Sequence, residues 1–145
     1  MGLLSSLTGA TLYLDTNVFV YACEGFPDFS DSLRELFAAI DAGNISAVTS
    51  ELTLAELLVK PFMDGDAHRQ SIYNDTIRNS EQLSVFPITR DILIEAARLR
   101  SASTLRLPDA IHVATACSAG CTLFLTNDKR ISTIVGIKVI LLSEL

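Results

Sequence analysis

Four carboxylates stand out by their settings: Asp15, Glu56, Asp109 and Asp128. Asp15 ends the apolar run of residues 10–14, and the short polar side chains of Thr16 and Asn17 follow it. Asp128 repeats that design after residues 122–126, with Thr126 and Asn127 before it. Runs this short and rich in strand-forming types predict β-strands. In open α/β sheets, ligands bind beyond the carboxyl ends of the strands. Glu56 lies among Leu54, Leu57, Leu58 and Val59 in a helix expected over residues 51–60, directly after a strand at 45–49. Asp109 follows Pro108, which suits the first helical position, so its carboxylate falls in the first turn. The helix dipole favours a negative charge there by about 0.3–1 kcal/mol.

Each acid also has an ordinary structural explanation. Asp15 or Asn17 would cap the following helix, Glu56 would pair with Lys60 on an exposed face, and Asp109 would complement a dipole. Asp128 would start an Asx-turn or cap a short helix at residues 129–131. The arrangement as a whole asks for more. Two of the acids end strands, and two sit in the first turns of helices that can face the same sheet edge. Converging there, they would repel by about 4 kcal/mol per pair at about 4 Å and an effective dielectric of about 20. Such a cluster needs cations, and hard oxygen ligands select Mg²⁺ or Mn²⁺ over zinc. Carboxylates holding one or two such ions suit phosphodiester hydrolysis, because the metal activates a water, orients it and offsets charge on the phosphate. No Gly-rich phosphate loop, GxSxG elbow or Cys–His nucleophile pair competes for the role. His112, within the alanine-rich stretch after Asp109, reads as a packing or surface histidine rather than a ligand.

The elements that must position these groups alternate between strand and helix. Ser32 and Glu35 form a capping-box pattern, followed by Leu33, Leu36, Phe37 and Ile40 at helical spacing and by Gly43 as a stop. Ser50 is the expected N-cap of the Glu56 helix, and Pro61 its expected stop. Residues 64–80 read as an exposed helix or helical hairpin packed through Ile72, Tyr73 and Ile77, with Arg69 and Arg78 on a solvated face. A third strand is expected at 83–88, where Pro87 would stress a central position. Thr89 caps the next helix, whose apolar face is Ile92, Leu93, Ala96, Ala97 and Leu99. A last strand spans 137–142. This alternation implies a largely parallel sheet with helices on both faces.

At 145 residues the chain reads as a single domain, 1–145, long enough to bury a core. Apolar residues make up 49% and charged ones 19%, which excludes a disordered chain. No apolar run reaches the ~18 residues of a membrane span. No positive n-region precedes Asp15, so a cytoplasmic protein without membrane contact is expected. The net charge of −6 argues against broad phosphate binding by a basic surface, although bound cations reverse the local field of an acidic site. Cys23, Cys117 and Cys121 fit neither a disulfide framework nor a zinc signature and read as buried small hydrophobes.

The Leu-Asp-Thr-Asn opening, the Leu-Ala-Glu-Leu-Leu helix, the Arg-Leu-Pro-Asp-Ala-Ile-His-Val-Ala-Thr-Ala stretch and the Leu-Thr-Asn-Asp-Lys-Arg turn resemble the PIN-domain ribonucleases. Within them, the VapC-like toxins of type II toxin–antitoxin pairs are the nearest branch. The resemblance runs from about residue 12 to 142 and finds no distinctive match over 62–80. It implies a three-layer α/β/α sandwich around a mostly parallel five-stranded sheet. By position, Asp15, Glu56, Asp109 and Asp128 match the family's four acids, and Asn17 and Thr126 its supporting polar residues. It further implies Mg²⁺- or Mn²⁺-dependent RNA cleavage, a homodimer, and neutralisation by a small antitoxin protein. Two other readings compete: a catalytically silent PIN-like module acting through protein contacts, and a receiver-like phospho-acceptor. The latter ranks last because Lys129 follows Asp128 directly, leaving no suitably placed strand-end lysine.

Overall fold

The computed structural model describes residues 3–134 and 136–145. Five strands, β1 (Thr11–Leu14), β2 (Ser46–Ser50), β3 (Leu83–Phe86), β4 (Leu123–Thr126) and β5 (Lys138–Leu141), form one sheet in the order β3-β2-β1-β4-β5. All four pairings are parallel, with Tyr13 opposite Val48 on one side and Phe124 on the other. The strand order reverses between β1 and β4. In a doubly wound sheet that switch point opens a crevice at the carboxyl edge.

Among the described residues six α-helices cover the sheet: α1 (Thr16–Glu24), α2 (Ser30–Asp41), α3 (Glu51–Asp64), α4 (Ala67–Thr76), α5 (Arg90–Ser101) and α6 (Leu107–Ser118). The two-residue alternation of β1 sorts them into layers. Leu12 and Leu14 face a core shared with Val18 and Phe19 of α1, Leu33, Leu36 and Ile40 of α2, Leu57 of α3 and Tyr73 of α4. Tyr13 faces the opposite way, stacks on Phe124 at 5.0 Å and packs with Val113 and Ala116 of α6. Ile92 and Ala96 of α5 then close over Ala110 and Ala114 of α6, where the small side chains permit close helix contact. The expected three-layer α/β/α fold is therefore the fold observed.

Several local expectations need correction. α2 begins at Ser30 behind Phe29, so Ser32 and Glu35 lie inside it and make no capping box. Pro61 does not stop α3: the helix continues to Asp64 and ends at Gly65, whose left-handed φ of 64° favours glycine. The proline ring is buried, and its carbonyl accepts the backbone N–H of Asp66 at 2.8 Å and Gln70 Nε2 at 3.2 Å. The bond that the proline forfeits is the one a backbone N–H would give to the Leu57 carbonyl, while its own carbonyl ties the end of α3 to Gln70 of α4. Pro87 lies just beyond β3, an edge strand, so it stresses no ladder. Leu93 and Ala97 of α5 are exposed rather than in the core, and Ile72 is only partly covered, whereas Tyr73 and Ile77 are buried as expected. No helix forms at 129–131. Arg69 and Arg78 pair with Glu24 and Asp75.

Cys23 and Cys117 are exposed, and only Cys121 is a buried small hydrophobe, its thiol pushed up to about 12 by burial. Among the described residues no helix is long and apolar enough to cross a membrane.

The layering predicts an asymmetry that chemical denaturation can read. Leu36→Ala, at a fully buried position, should lose about 2–5 kcal/mol of unfolding free energy. Leu93→Ala, at a side chain 46% exposed, should lose under about 1 kcal/mol.

Candidate active site

The connectivity dictates where each acid stands. Asp15 leaves β1 at its carboxyl end, and Asp128 follows β4 by two residues. α3 departs from the carboxyl end of β2, so Glu56, in its second turn, stays near that edge. α6 must carry the chain back to the start of β4, so it begins at the carboxyl edge, with Asp109 in its first turn. All four acids therefore approach the crevice between β1 and β4.

Asp15 is 5% exposed and is both a helix cap and a fixed carboxylate. Its Oδ1 accepts the Thr16 backbone N–H at 2.8 Å. Its Oδ2 accepts the Thr126 hydroxyl at 2.7 Å and Asn17 Nδ2 at 3.4 Å. Asn17 also donates to Thr126 Oγ1 at 3.3 Å, and its Oδ1 accepts the Asn127 backbone N–H at 3.0 Å, tying the start of α1 to the end of β4. Three donors leave the Asp15 carboxylate little freedom to turn.

Glu56 departs from the expected Glu56–Lys60 pair, since Lys60 bonds Asp64 at 3.4 Å instead. Glu56 Oε1 accepts the Thr16 hydroxyl at 2.7 Å and His112 Nε2 at 2.6 Å. Burial raises its pKa, but the His112 and Thr16 contacts outweigh that and hold it below the ordinary value.

His112 is the residue that sequence reasoning misplaced. It is 1% exposed, yet it is neither simple packing nor a surface group. Its Nδ1 meets the buried Tyr13 hydroxyl at 2.7 Å, and its Nε2 reaches Glu56 and lies 3.8 Å from Asp15 Oδ1. Burial, with the Asp15 charge adding, pushes the Tyr13 pKa well up, so the phenol keeps a proton that it can give to Nδ1. The Glu56 carboxylate can only accept, which makes Nε2 the donor there. Tyr13, on the inner strand, thus fixes the ring that fixes Glu56. A signal existed in the sequence: His112 follows Asp109 by three residues, so the two share a face of α6.

On the other side of the crevice, Arg130 joins the remaining acids. Its Nε lies 3.0 and 3.1 Å from the two Asp128 oxygens, and its Nη2 lies 2.6 Å from Asp128 Oδ2. The same Nη2 is 3.7 Å from Asp109 Oδ2. The Arg130 bond holds the Asp128 pKa below its ordinary value. Asp109 goes the other way: burial raises it, with the Asp128 and Asp15 charges adding, while Arg130 and His112 oppose. Asp15 and Asp128 are therefore close enough to act on Asp109 electrostatically. Among the described residues, however, no three carboxylate, imidazole or thiol groups already stand close enough to hold one ion. The structure brings the acids to one edge as two halves, Asp15 with Glu56 through Thr16 and His112, and Asp109 with Asp128 through Arg130.

Residues 12–136 match the PIN domain family. The chain belongs to that family. No relative is found among curated proteins at the level of sequence. Similar solved structures include a chain of a toxin–antitoxin complex from Klebsiella pneumoniae, 24% identical with a TM-score of 0.68, covering 92% of this chain and 99% of that one. A chain of VapBC2 from Rickettsia felis bound to a promoter DNA fragment is 18% identical with a TM-score of 0.69, covering 90% and 98%. VapC20 from Mycobacterium tuberculosis, a toxin that cleaves the sarcin–ricin loop, is 18% identical with a TM-score of 0.60, covering 78% and 86%. The fold of this PIN domain is thus that of VapBC-type proteins. The strand order 3-2-1-4-5 also differs from the 2-1-3-4-5 order of receiver domains, which removes the phospho-acceptor reading.

The opposed pKa directions give opposed stability effects. Glu56, lowered in the folded state, contributes stability above its ordinary pKa that is lost as pH falls through and below about 4. Asp109, raised, opposes folding when ionised. At pH 7, Glu56→Gln should therefore lower Tm and Asp109→Asn should raise it. Both differences from wild type should shrink toward low pH. Melts at pH 7 and pH 4 check the signs, and a Tm at pH 7 lowered equally by both variants would contradict them.

Proposed function

We propose that this PIN domain is a metal-dependent endoribonuclease, the VapC-like toxin of a type II toxin–antitoxin pair. The observation that carries the reading is Asp15, held by three donors at the switch point with Glu56, Asp109 and Asp128 around the same crevice. A buried, immobilised carboxylate is costly unless it has a cationic partner. The donor set fits a hard divalent ion, because every candidate ligand is a carboxylate oxygen. Arg130 already stands as a cation between two of the acids.

Asp15 and Asp109 would make the main contact with Mg²⁺ or Mn²⁺, and Asp128 and Glu56 would complete the site. When bound, the ion supplies Lewis acidity toward the phosphate and lowers the pKa of a water. The protein's own groups do the rest. Thr126 and Asn17 keep Asp15 pointed into the crevice. Glu56, with its side chain 35% exposed and one oxygen fixed by His112 and Thr16, is placed to orient the attacking water and take its proton. Water adds to phosphorus, the P–O bond to the adjoining nucleoside breaks, and the departing oxygen acquires a proton.

The VapBC-type neighbours support a small antitoxin as partner, and the family resemblance supports a homodimer working in the cytoplasm as a single 1–145 domain. The silent-module reading differs in one measurable respect, since it predicts no cleavage under any metal.

With Mn²⁺ present, the wild-type protein should cleave single-stranded RNA, and EDTA should abolish the activity until Mn²⁺ is restored. Asp15→Asn should show no cleavage while melting cooperatively. Thr126→Val, which removes the donor to Asp15 together with the acceptor of Asn17 Nδ2 and of the Asp128 backbone N–H, should lose about 10–100-fold. Full activity in Asp15→Asn would overturn the proposal.

A further inference from the structure

Arg130 bridges Asp109 and Asp128, and its setting differs from that of an ordinary surface arginine. The Asp128 side chain accepts the Arg130 backbone N–H at 2.9 Å, an Asx-turn that folds the chain back on itself. The turn returns the guanidinium onto the carboxylate that made it, in a forked contact. The Asp109 and Asp128 side chains are 18% and 19% exposed, whereas that of Arg130 is 54% exposed. The guanidinium therefore covers the two acids from the solvent side. The positive charge of Arg106, the N-cap residue of α6, also acts on Asp128, and Lys129 is exposed next door. In a chain of net charge −6 this is a local concentration of cations beside the acidic crevice.

We propose that Arg130 serves two ligands in turn: it holds the place of the divalent ion between Asp109 and Asp128, and once displaced it binds a phosphate of the RNA backbone. This rests on the nuclease reading and adds a substrate-binding residue to it. An exposed ion pair is a weak contact, so a doubly charged ion can replace the guanidinium at these carboxylates. Replacement leaves a planar, permanently charged fork at the mouth of the crevice, two residues along the chain from Asp128. That fork fits a phosphodiester's two non-bridging oxygens, which the acids themselves repel. Metal binding and substrate binding then become coupled through one side chain.

The proposal requires opposite effects of one substitution. In Arg130→Gln, Mn²⁺ measured by calorimetry on the full chain should bind about 5-fold tighter, because a competing cation is gone. A 2′-O-methyl RNA 10-mer, resistant to cleavage, should bind about 5-fold more weakly in the presence of Ca²⁺. Its log–log salt slope should fall by about 0.7, the value of one single-strand phosphate contact. Lys129→Gln removes the same charge one residue away and should leave Mn²⁺ affinity unchanged. Arg130→Gln binding Mn²⁺ with unchanged or weaker affinity, or binding the RNA with an unchanged salt slope, overturns the proposal. Wild-type protein that neither binds Mn²⁺ nor cleaves RNA overturns the nuclease reading along with it. A wild type that does both, beside an indifferent Arg130→Gln, overturns only the role of Arg130.

Discussion

Mutual repulsion between carboxylates is the constraint around which this molecule is built. A parallel sheet with reversed strand order delivers chain ends to one crevice whether or not the residues there are charged. Here the residues delivered are Asp15 and Asp128, and the two helices that start at the same edge bring Glu56 and Asp109. The fold therefore imposes an electrostatic cost that its other side chains must meet. They do so by different means on the two sides of the crevice. Glu56 is met by an imidazole that a buried tyrosine orients, and Asp128 by a guanidinium that its own turn brings back. Asp109, whose pKa burial raises, is less well compensated than Glu56 and Asp128, whose pKa values are lowered.

The same constraint ties packing to chemistry. Tyr13 stacks on Phe124 in the core beneath α6 while its hydroxyl serves His112 at the edge. Thr126 closes β4 and holds Asp15. Asn17 links α1 to the segment after β4. None of these residues need touch substrate, yet each fixes the direction of a carboxylate that would. Buried polar networks of this kind rigidify a site because every donor and acceptor has a partner. Among the described residues, no buried side-chain nitrogen or oxygen lacks one.

Much of this was legible in the amino-acid sequence, and for physical reasons. The apolar runs before Asp15 and Asp128, the Ser50 and Thr89 caps and the Leu33–Leu36–Ile40 stripe are local signals, and local forces decide them. What was not legible depended on tertiary partners. Pro61 reads as a stop, yet its ring is buried and α3 runs on past it to Asp64. Glu56 and Lys60 read as a helical pair until His112, from an element far along the chain, takes the glutamate. His112 reads as packing because its alanine-rich surroundings describe its burial and say nothing of Tyr13 at its other nitrogen. Arg130 carries no site signal in the sequence, since the Asx-turn that aims it is a matter of backbone geometry.

The central claim, that separate segments share one divalent-ion pocket, has a direct test in paramagnetic broadening of amide signals by Mn²⁺ in the ¹⁵N-labelled protein. The account predicts that substoichiometric Mn²⁺ broadens the signals of Thr16 and Asn17, of residues around Glu56, of Asp109 and Ala110, and of Asn127 through Arg130 together, at one common concentration. Broadening confined to one of these segments, or spread over acidic surface residues such as Asp31 and Asp75, would contradict it.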